Sequence, residues 1–188
     1  MKRVWKTWIV AVAALAFACS GDINRSSSPV ELVVTNTQNL DQIDLKPNAA
    51  NCNQDVGTVQ MQAIVKSTSS PDNRFNDVRI TRYRVSYVRT DGGRAVPVSF
   101  TRSTDSLITA NGGSTSLSSF LILEGDAITQ APFAALLPVN GGRDPETGRP
   151  VVKMDVILEV FGQTLAGENV SGSTRFPLDF CYDCNGCA

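Results

Sequence analysis

Apolar and polar residues alternate along much of this chain, as in β-strands that bury one face. The longest alternating run covers residues 152–160, and 174–180 repeat the pattern after a turn-rich segment at 166–169. This arrangement predicts a β-hairpin, and a similar run over 59–65 predicts another strand. Helical periodicity is weak. Residues 131–138 are compatible with one helical turn or with a loop that plugs one end of the core.

A change of phase predicts an irregularity in the strand that begins near residue 78. Between residues 78 and 87 the apolar positions switch from even to odd numbers. One extra residue near Thr81-Arg82 would produce this switch, which predicts a β-bulge. Asp91-Gly92-Gly93 is a hairpin-type turn that leads into a predicted strand over 96–100. Residues 141–150, rich in Gly, Pro and charge, predict an exposed loop.

Short strands separated by turns predict an all-β fold, an antiparallel β-sandwich of about seven or eight strands over residues 30–188. The final hairpin resembles the last two strands of bacterial immunoglobulin-like or fibronectin-III-like modules. This resemblance implies an immunoglobulin-like sandwich. The cysteine pair and core tryptophan of antibody domains are missing, because Trp5 and Trp8 both precede the predicted domain.

The first residues predict a signal peptide over 1–18. Three positive charges within the first six residues are followed by an uncharged apolar run from Trp8 to Ala18, which is too short to span a bilayer. Ala18-Cys19-Ser20-Gly21 resembles a bacterial lipobox, although Leu15 stands one position early and Phe17 is bulky for its place. The resemblance implies cleavage before Cys19 and acylation of Cys19 with chains such as palmitate. The alternatives are cleavage by ordinary signal peptidase, which would accept the A-x-A site Ala16-Phe17-Ala18, and an uncleaved N-terminal anchor.

Residues 19–29 predict a lipidated tether without fixed structure, because the segment is polar and contains three consecutive serines. By resemblance to enterobacterial lipoproteins, Ser20 after the lipidated residue implies the outer membrane of the bacterial cell envelope. Loss of the signal peptide removes three positive charges and changes the formal net charge from −1 to −4. That charge argues against a nucleic-acid-binding surface.

The odd number of cysteines supports lipidation of Cys19. The chain has five cysteines, and an odd number leaves one thiol over in an oxidising compartment. Lipidation of Cys19 leaves Cys52, Cys181, Cys184 and Cys187, which predict two disulfides with three connectivities open. In the alternative reading, the CxxCxxC tail with Cys52 forms an iron–sulfur or zinc site, or carries redox-active thiols.

Candidate catalytic groups are few. Histidine is absent, which excludes Ser-His-Asp and Cys-His triads. Paired carboxylates remain, either Asp41 with Asp44 or Glu124 with Asp126, and they suggest an enzyme that acts on envelope polysaccharide. The oxygen-rich segment 72–77 is a weak calcium candidate, because Asn and Asp are also ordinary turn residues.

The sequence therefore predicts a non-enzymatic, membrane-anchored binding or structural protein with no cofactor. Its partner would be an envelope protein or glycan, contacted through loops 68–77, 110–116 and 140–150. The second strand also carries a row of arginines, interpreted as a solvated outer face, with a basic stripe for anionic lipids or glycans as the alternative. The row comprises Arg79, Arg82, Arg84 and Arg89, with Arg94 just beyond.

Overall fold

The computed structural model describes residues 28–37, 41–46, 58–67, 74–118 and 120–184. Within them, short 3-10 helices lie at Arg74–Asn76, Ala127–Thr129, Phe133–Leu136 and Pro138–Asn140. The strands are β1 Val30–Asn36, β2 Gln42–Asp44, β3 Thr58–Val65, β4 Val78–Arg89, β5 Phe100–Ile108, β6 Ser114–Ser118, β7 Val151–Thr164 and β8 Asn169–Cys181. The predicted all-β class is confirmed.

The strands form two sheets around one core. One sheet has the order β1-β3-β6 and the other β2-β8-β7-β4-β5, and apolar side chains of both belong to a single buried cluster. The expectation of a wholly antiparallel arrangement is wrong at one place, because β2 pairs with β8 in parallel. The predicted tether over 19–29 lies outside the described residues except for Ser28 and Pro29. Ser28 is buried, and the carbonyl of Pro29 accepts the N–H of Lys66.

The predicted β-bulge in β4 is confirmed. The pairing of β4 with both of its neighbours shifts between Ile80 and Arg82. Gly162 of β7 lies opposite this shift, and a Cβ atom there would come within 2.6 Å of the carbonyl oxygen of Arg79. The absence of a side chain at position 162 thus lets the bulged strand approach β7.

Both predicted pairs of antiparallel strands form, but the returning strand of the β4–β5 pair begins later than predicted. The β7–β8 hairpin is confirmed, and it turns at residues 165–168. The strand predicted over 96–100 is wrong, because β5 begins only at Phe100. The segment before it is held by side chains instead: Glu146 Oε2 accepts the N–H groups of Arg94 and Ala95 at 2.7 and 2.9 Å.

The segment 131–138 forms helical turns that close one end of the core, in agreement with the sequence prediction. Phe133 is fully buried and Leu136 nearly so. The ring of Phe133 lies 4.9 Å from that of Phe180 in β8, a separation typical of packed aromatic pairs.

The strand registers place the connecting loops at two ends of the two-sheet fold. We call the end where β1 begins the near end; it also holds the start of β4 and the end of β7. The opposite, far end holds the end of β4 and the end of β8. The loops predicted to meet a partner therefore divide: the described parts of 68–77 and 110–116 lie at the near end, whereas 140–150 lies at the far end.

Candidate functional site

The far end carries the cysteine motif. Cys181 is the last residue of β8, and its sulfur is bonded to that of Cys184. Cys181 is buried, and its Sγ accepts a hydrogen bond from Gln42 Nε2 at 2.6 Å. The described part of the chain has no helix after Cys181, so this CxxC motif lacks the helix N-terminus that lowers thiol pKa values in redox sites.

Asp44 holds the disulfide loop in place. Its buried carboxylate accepts the N–H groups of Asp183 and Cys184 at 2.9 and 3.2 Å, and that of Lys46 at 2.9 Å. Lys46 in turn forms an ion pair of 2.8 Å with Asp183. Asp44, proposed from sequence as a catalytic acid, thus serves as an acceptor for backbone groups of the disulfide loop.

The Cys181–Cys184 disulfide limits the metal-binding roles and the pairings open to the remaining cysteines. A sulfur joined to another sulfur is not a thiolate ligand, and within the described ranges no group of three or more His, Cys, Asp or Glu side chains has metal-binding geometry. Cys19, Cys52 and Cys187 lie outside the described residues. With Cys181 paired to Cys184, two disulfides among the four cysteines would require Cys52 to pair with Cys187.

A buried ion cluster around Arg89 is the second feature of the far end. The guanidinium forms a two-pronged pair with Asp91, with both N–O distances at 2.8 Å. The same Nη2 atom donates to Asp144 Oδ2 at 2.8 Å. All three side chains are at most 2% exposed. The interpretation of Arg89 as part of a solvated face is therefore wrong, because β4 extends past β5 and its last residues are covered by the loops.

The cluster joins three segments of the chain. Asp91 accepts the N–H groups of Gly93 and Lys153 at 3.1 and 3.0 Å, which ties the β4–β5 connection to the start of β7. Asp144 accepts both the N–H and the hydroxyl of Thr147 at 3.1 and 2.7 Å. The expectation that 141–150 is simply an exposed loop is wrong at Asp144, because this carboxylate is the partner that a buried guanidinium requires.

The protonation of this cluster is fixed over a wide pH range. Burial alone would raise the pKa of Asp91, but the hydrogen bonds from Arg89 and from two backbone N–H groups outweigh it and lower the pKa to about 2. Burial opposes ionisation of Asp144 as well. Its bonds from Arg89 and Thr147 nevertheless hold the pKa of this carboxyl below its ordinary value.

These pKa shifts predict acid sensitivity. The pKa of Asp91 is lower in the folded state than in the unfolded chain, so the unfolded state binds more protons between about pH 4 and pH 2. The free energy of unfolding therefore has its full value above this window. It decreases as the pH drops through the window, by on the order of 2 kcal/mol for Asp91 alone. Urea unfolding at a series of pH values would measure this, and an Asp91→Asn variant should show a shallower loss. Equal pH slopes for parent and variant would contradict the assignment.

Of the other acids proposed for catalysis, Glu124 and Asp126 make side-chain contacts, whereas the contact of Asp41 is made by its backbone. Glu124 pairs with Arg102 at 2.8 Å, and Asp126 Oδ2 accepts the side-chain amide of Gln130 at 3.1 Å. Both acids line a shallow groove of about 160 Å³ near Val98. The backbone carbonyl of Asp41 accepts the N–H of Asp179, at the edge where β2 meets β8.

The remaining arginines of β4 lie on the outer face, and each lies near a side chain of an adjacent strand. Arg79 forms a two-pronged pair with Asp105 at 2.9 Å. Arg82 lies over the ring of Phe161, with 5.0 Å between the guanidinium carbon and the ring centre. Arg84 Nη1 lies 3.9 Å from Glu159 Oε2. The carboxylates beside Arg79 and Arg84 offset part of the positive charge of the row, which favours the solvated outer face over an anion-binding stripe.

The near end has a different character, with apolar side chains exposed. Phe75, Leu107 and Leu165 are 63%, 56% and 51% exposed, and we call these three residues the near-end patch. Backbone bonds join the β7–β8 turn to the segment of Phe75, because the N–H of Leu165 binds the carbonyl of Asp77 and that of Ala166 binds the carbonyl of Phe75. Leu107 and Leu165 line one groove of about 360 Å³. Sequence reasoning missed the patch, although exposed loops at 68–77 were expected.

No protein-family model, curated protein or solved structure matched the chain. The functional interpretation therefore rests on the geometry described above. Among the described residues, none of the helices has the length and apolarity needed to cross a bilayer.

Proposed function

We propose that this chain is a lipoprotein of the bacterial cell envelope, held in the outer membrane by acyl chains on Cys19, with a non-catalytic β-sandwich outside the cytoplasm. The observation that carries the proposal is the position of Cys19. It directly follows an apolar signal-like run and precedes a folded domain whose first described residue, Ser28, is only nine positions later. Two or three acyl chains anchor a protein stably, whereas one does so only weakly.

The Cys181–Cys184 disulfide supports export. Disulfides persist in oxidising compartments and are rare in the cytosol. Cys181 is buried, Cys184 is partly buried, and backbone groups of the loop between them are hydrogen-bonded, which is typical of a structural disulfide.

The strand order supports an immunoglobulin-like class for the sandwich. If β1, β3, β4, β6, β7 and β8 are lettered A, B, C, E, F and G, the neighbours A-B-E form one sheet and G-F-C the other, as in immunoglobulin domains. β5 then takes the place of an additional strand beside C, and β2 lies beside G. In this assignment the loops of the near end correspond to the end where variable domains bind their ligands.

The contacts of the acidic side chains favour a binding or structural role over catalysis. Asp44, Asp91 and Asp144 are buried acceptors that fix loops at the far end. A hydrolase of the two-carboxylate kind requires an acid and a base that face the same substrate bond. Of the candidate acids, Asp44 is bonded to backbone groups, and Glu124 and Asp126 are bonded to Arg102 and Gln130. The partner that we propose is an envelope protein or glycan.

Membrane partition tests the proposal. The parent protein should sediment with membranes and stay there after a high-salt wash, whereas Cys19→Ala should lose about 90% or more of this association, because two acyl chains are removed. Ser20→Ala changes the neighbouring residue without removing the thiol and serves as the matched control. If Cys19→Ala sedimented with membranes as the parent does, the anchor would be elsewhere and the proposal would fall.

A further inference from the structure

The near-end patch requires an explanation, because three large apolar side chains are exposed at one end of the domain. Single exposed apolar residues are ordinary, whereas a contiguous group is typical of an interaction surface. At the near end the exposed groups belong to the 3-10 helix Arg74–Asn76, the last part of strand β5, and the β7–β8 turn. The patch thus combines residues from a strand end and from two connections.

The entry point of the chain indicates what faces this end. Ser28 and Pro29 lie at the near end, where the Pro29 carbonyl binds the N–H of Lys66. β1 then runs beside β8, so closely that a Cβ atom at Gly172 would come within 2.3 Å of the carbonyl oxygen of Leu32. The chain therefore enters the domain next to the β7–β8 hairpin that carries Leu165.

The number of residues before Ser28 limits how far this end can be from the lipid. Eight residues separate Cys19 from Ser28, and a fully extended chain advances at most about 3.3–3.6 Å per residue, or about 30 Å in all. β7 alone, with 14 residues, is longer than that, at about 46 Å. If Cys19 is acylated, the near end is the part of the domain that the tether keeps next to the bilayer.

We propose that the near-end patch inserts into the surface of the bilayer to which Cys19 is anchored, so that the domain docks on the membrane instead of hanging from its tether. This inference rests on the proposed lipid anchor. The occupant is the apolar–polar boundary of the lipid layer, which accepts Phe and Leu side chains. The charges nearby are mixed, since Arg79 is paired with Asp105, and docking should therefore not require anionic lipid.

Tryptophan fluorescence provides a direct test, because cleavage before Cys19 removes both tryptophans of the chain. Phe75→Trp and Leu165→Trp each then introduce a single indole in the patch. Val139→Trp is the matched control, since Val139 is 86% exposed but lies at the far end. Each acylated full chain is inserted in phosphatidylcholine vesicles with or without bromine on the acyl chains, which quenches only indoles at the bilayer.

The expected result is a blue-shifted emission and quenching by brominated lipid about twofold or more greater for the two patch variants than for Val139→Trp. Equal quenching of patch and control indoles in a protein whose mass shows the acyl chains would overturn the docking inference and leave the anchor standing. A blue shift that depends on protein concentration without extra quenching would mean that a second copy covers the patch, which also overturns it. Protein without acyl chains would overturn both proposals together.

Discussion

Replacing Arg89 by alanine should destabilise the domain by about 3–5 kcal/mol, the largest effect that we expect from a single substitution in this chain. The change leaves Asp91 and Asp144 buried and without the guanidinium that both now contact at 2.8 Å. It also removes the bond that joins the end of β4 to the loop carrying Asp144. Urea denaturation followed by circular dichroism, in a Cys19→Ala background that cannot be acylated, would measure the loss.

Arg79→Ala is the matched control for this prediction. Arg79 lies on the same strand and forms an equally short pair with Asp105, but both side chains are more than 60% exposed. Exposed pairs contribute about 0–1 kcal/mol, so the control should unfold almost as the parent does. Similar midpoints for the two variants would show that the buried cluster contributes no more than a surface ion pair.

Gly172→Ala should produce the second large effect, a loss of about 1–3 kcal/mol or more. The added methyl group would lie 2.3 Å from the carbonyl oxygen of Leu32 and 2.8 Å from a methyl group of Val34. Because the nearest atom belongs to the backbone of β1, the strand itself must move away from β8. The same denaturation measurement would detect this as a lower midpoint.

Gly125→Ala provides the comparison for the glycine prediction. A Cβ atom at position 125 meets no atom within 4 Å, and its backbone needs no left-handed conformation. This variant should be neutral or more stable by a few tenths of a kcal/mol, because alanine restricts the unfolded chain. If Gly172→Ala were as stable as Gly125→Ala, the close approach of β1 and β8 would be incorrect.

The strands were predictable where burial imposes a simple period. The β7–β8 hairpin follows from strict alternation, and the bulge in β4 follows from a single change of phase that a continuous ladder cannot accommodate. The plug around Phe133 was also visible, because an apolar segment with prolines fits neither a strand nor a long helix. In these segments the local sequence and the packing favour the same structure.

Other features depend on partners distant in sequence and could not be predicted in this way. Arg89 is buried because Asp144, 55 positions later, supplies the second carboxylate. Asp44 is an acceptor for groups near residue 183 only because β2 joins β8 in parallel. The near-end patch likewise depends on which loops the topology brings together. Residue type alone suggested a solvated arginine and a catalytic acid.

The measurement that most directly tests the central claim is the intact mass of the protein extracted from membranes, before and after reduction. The account predicts a chain that begins at Cys19 and carries the mass of two or three acyl chains. It also predicts a gain on reduction that corresponds to two disulfides, with peptide mapping that joins Cys181 to Cys184 and Cys52 to Cys187. A chain that keeps its first 18 residues, or a Cys19 without acyl chains, would contradict the account.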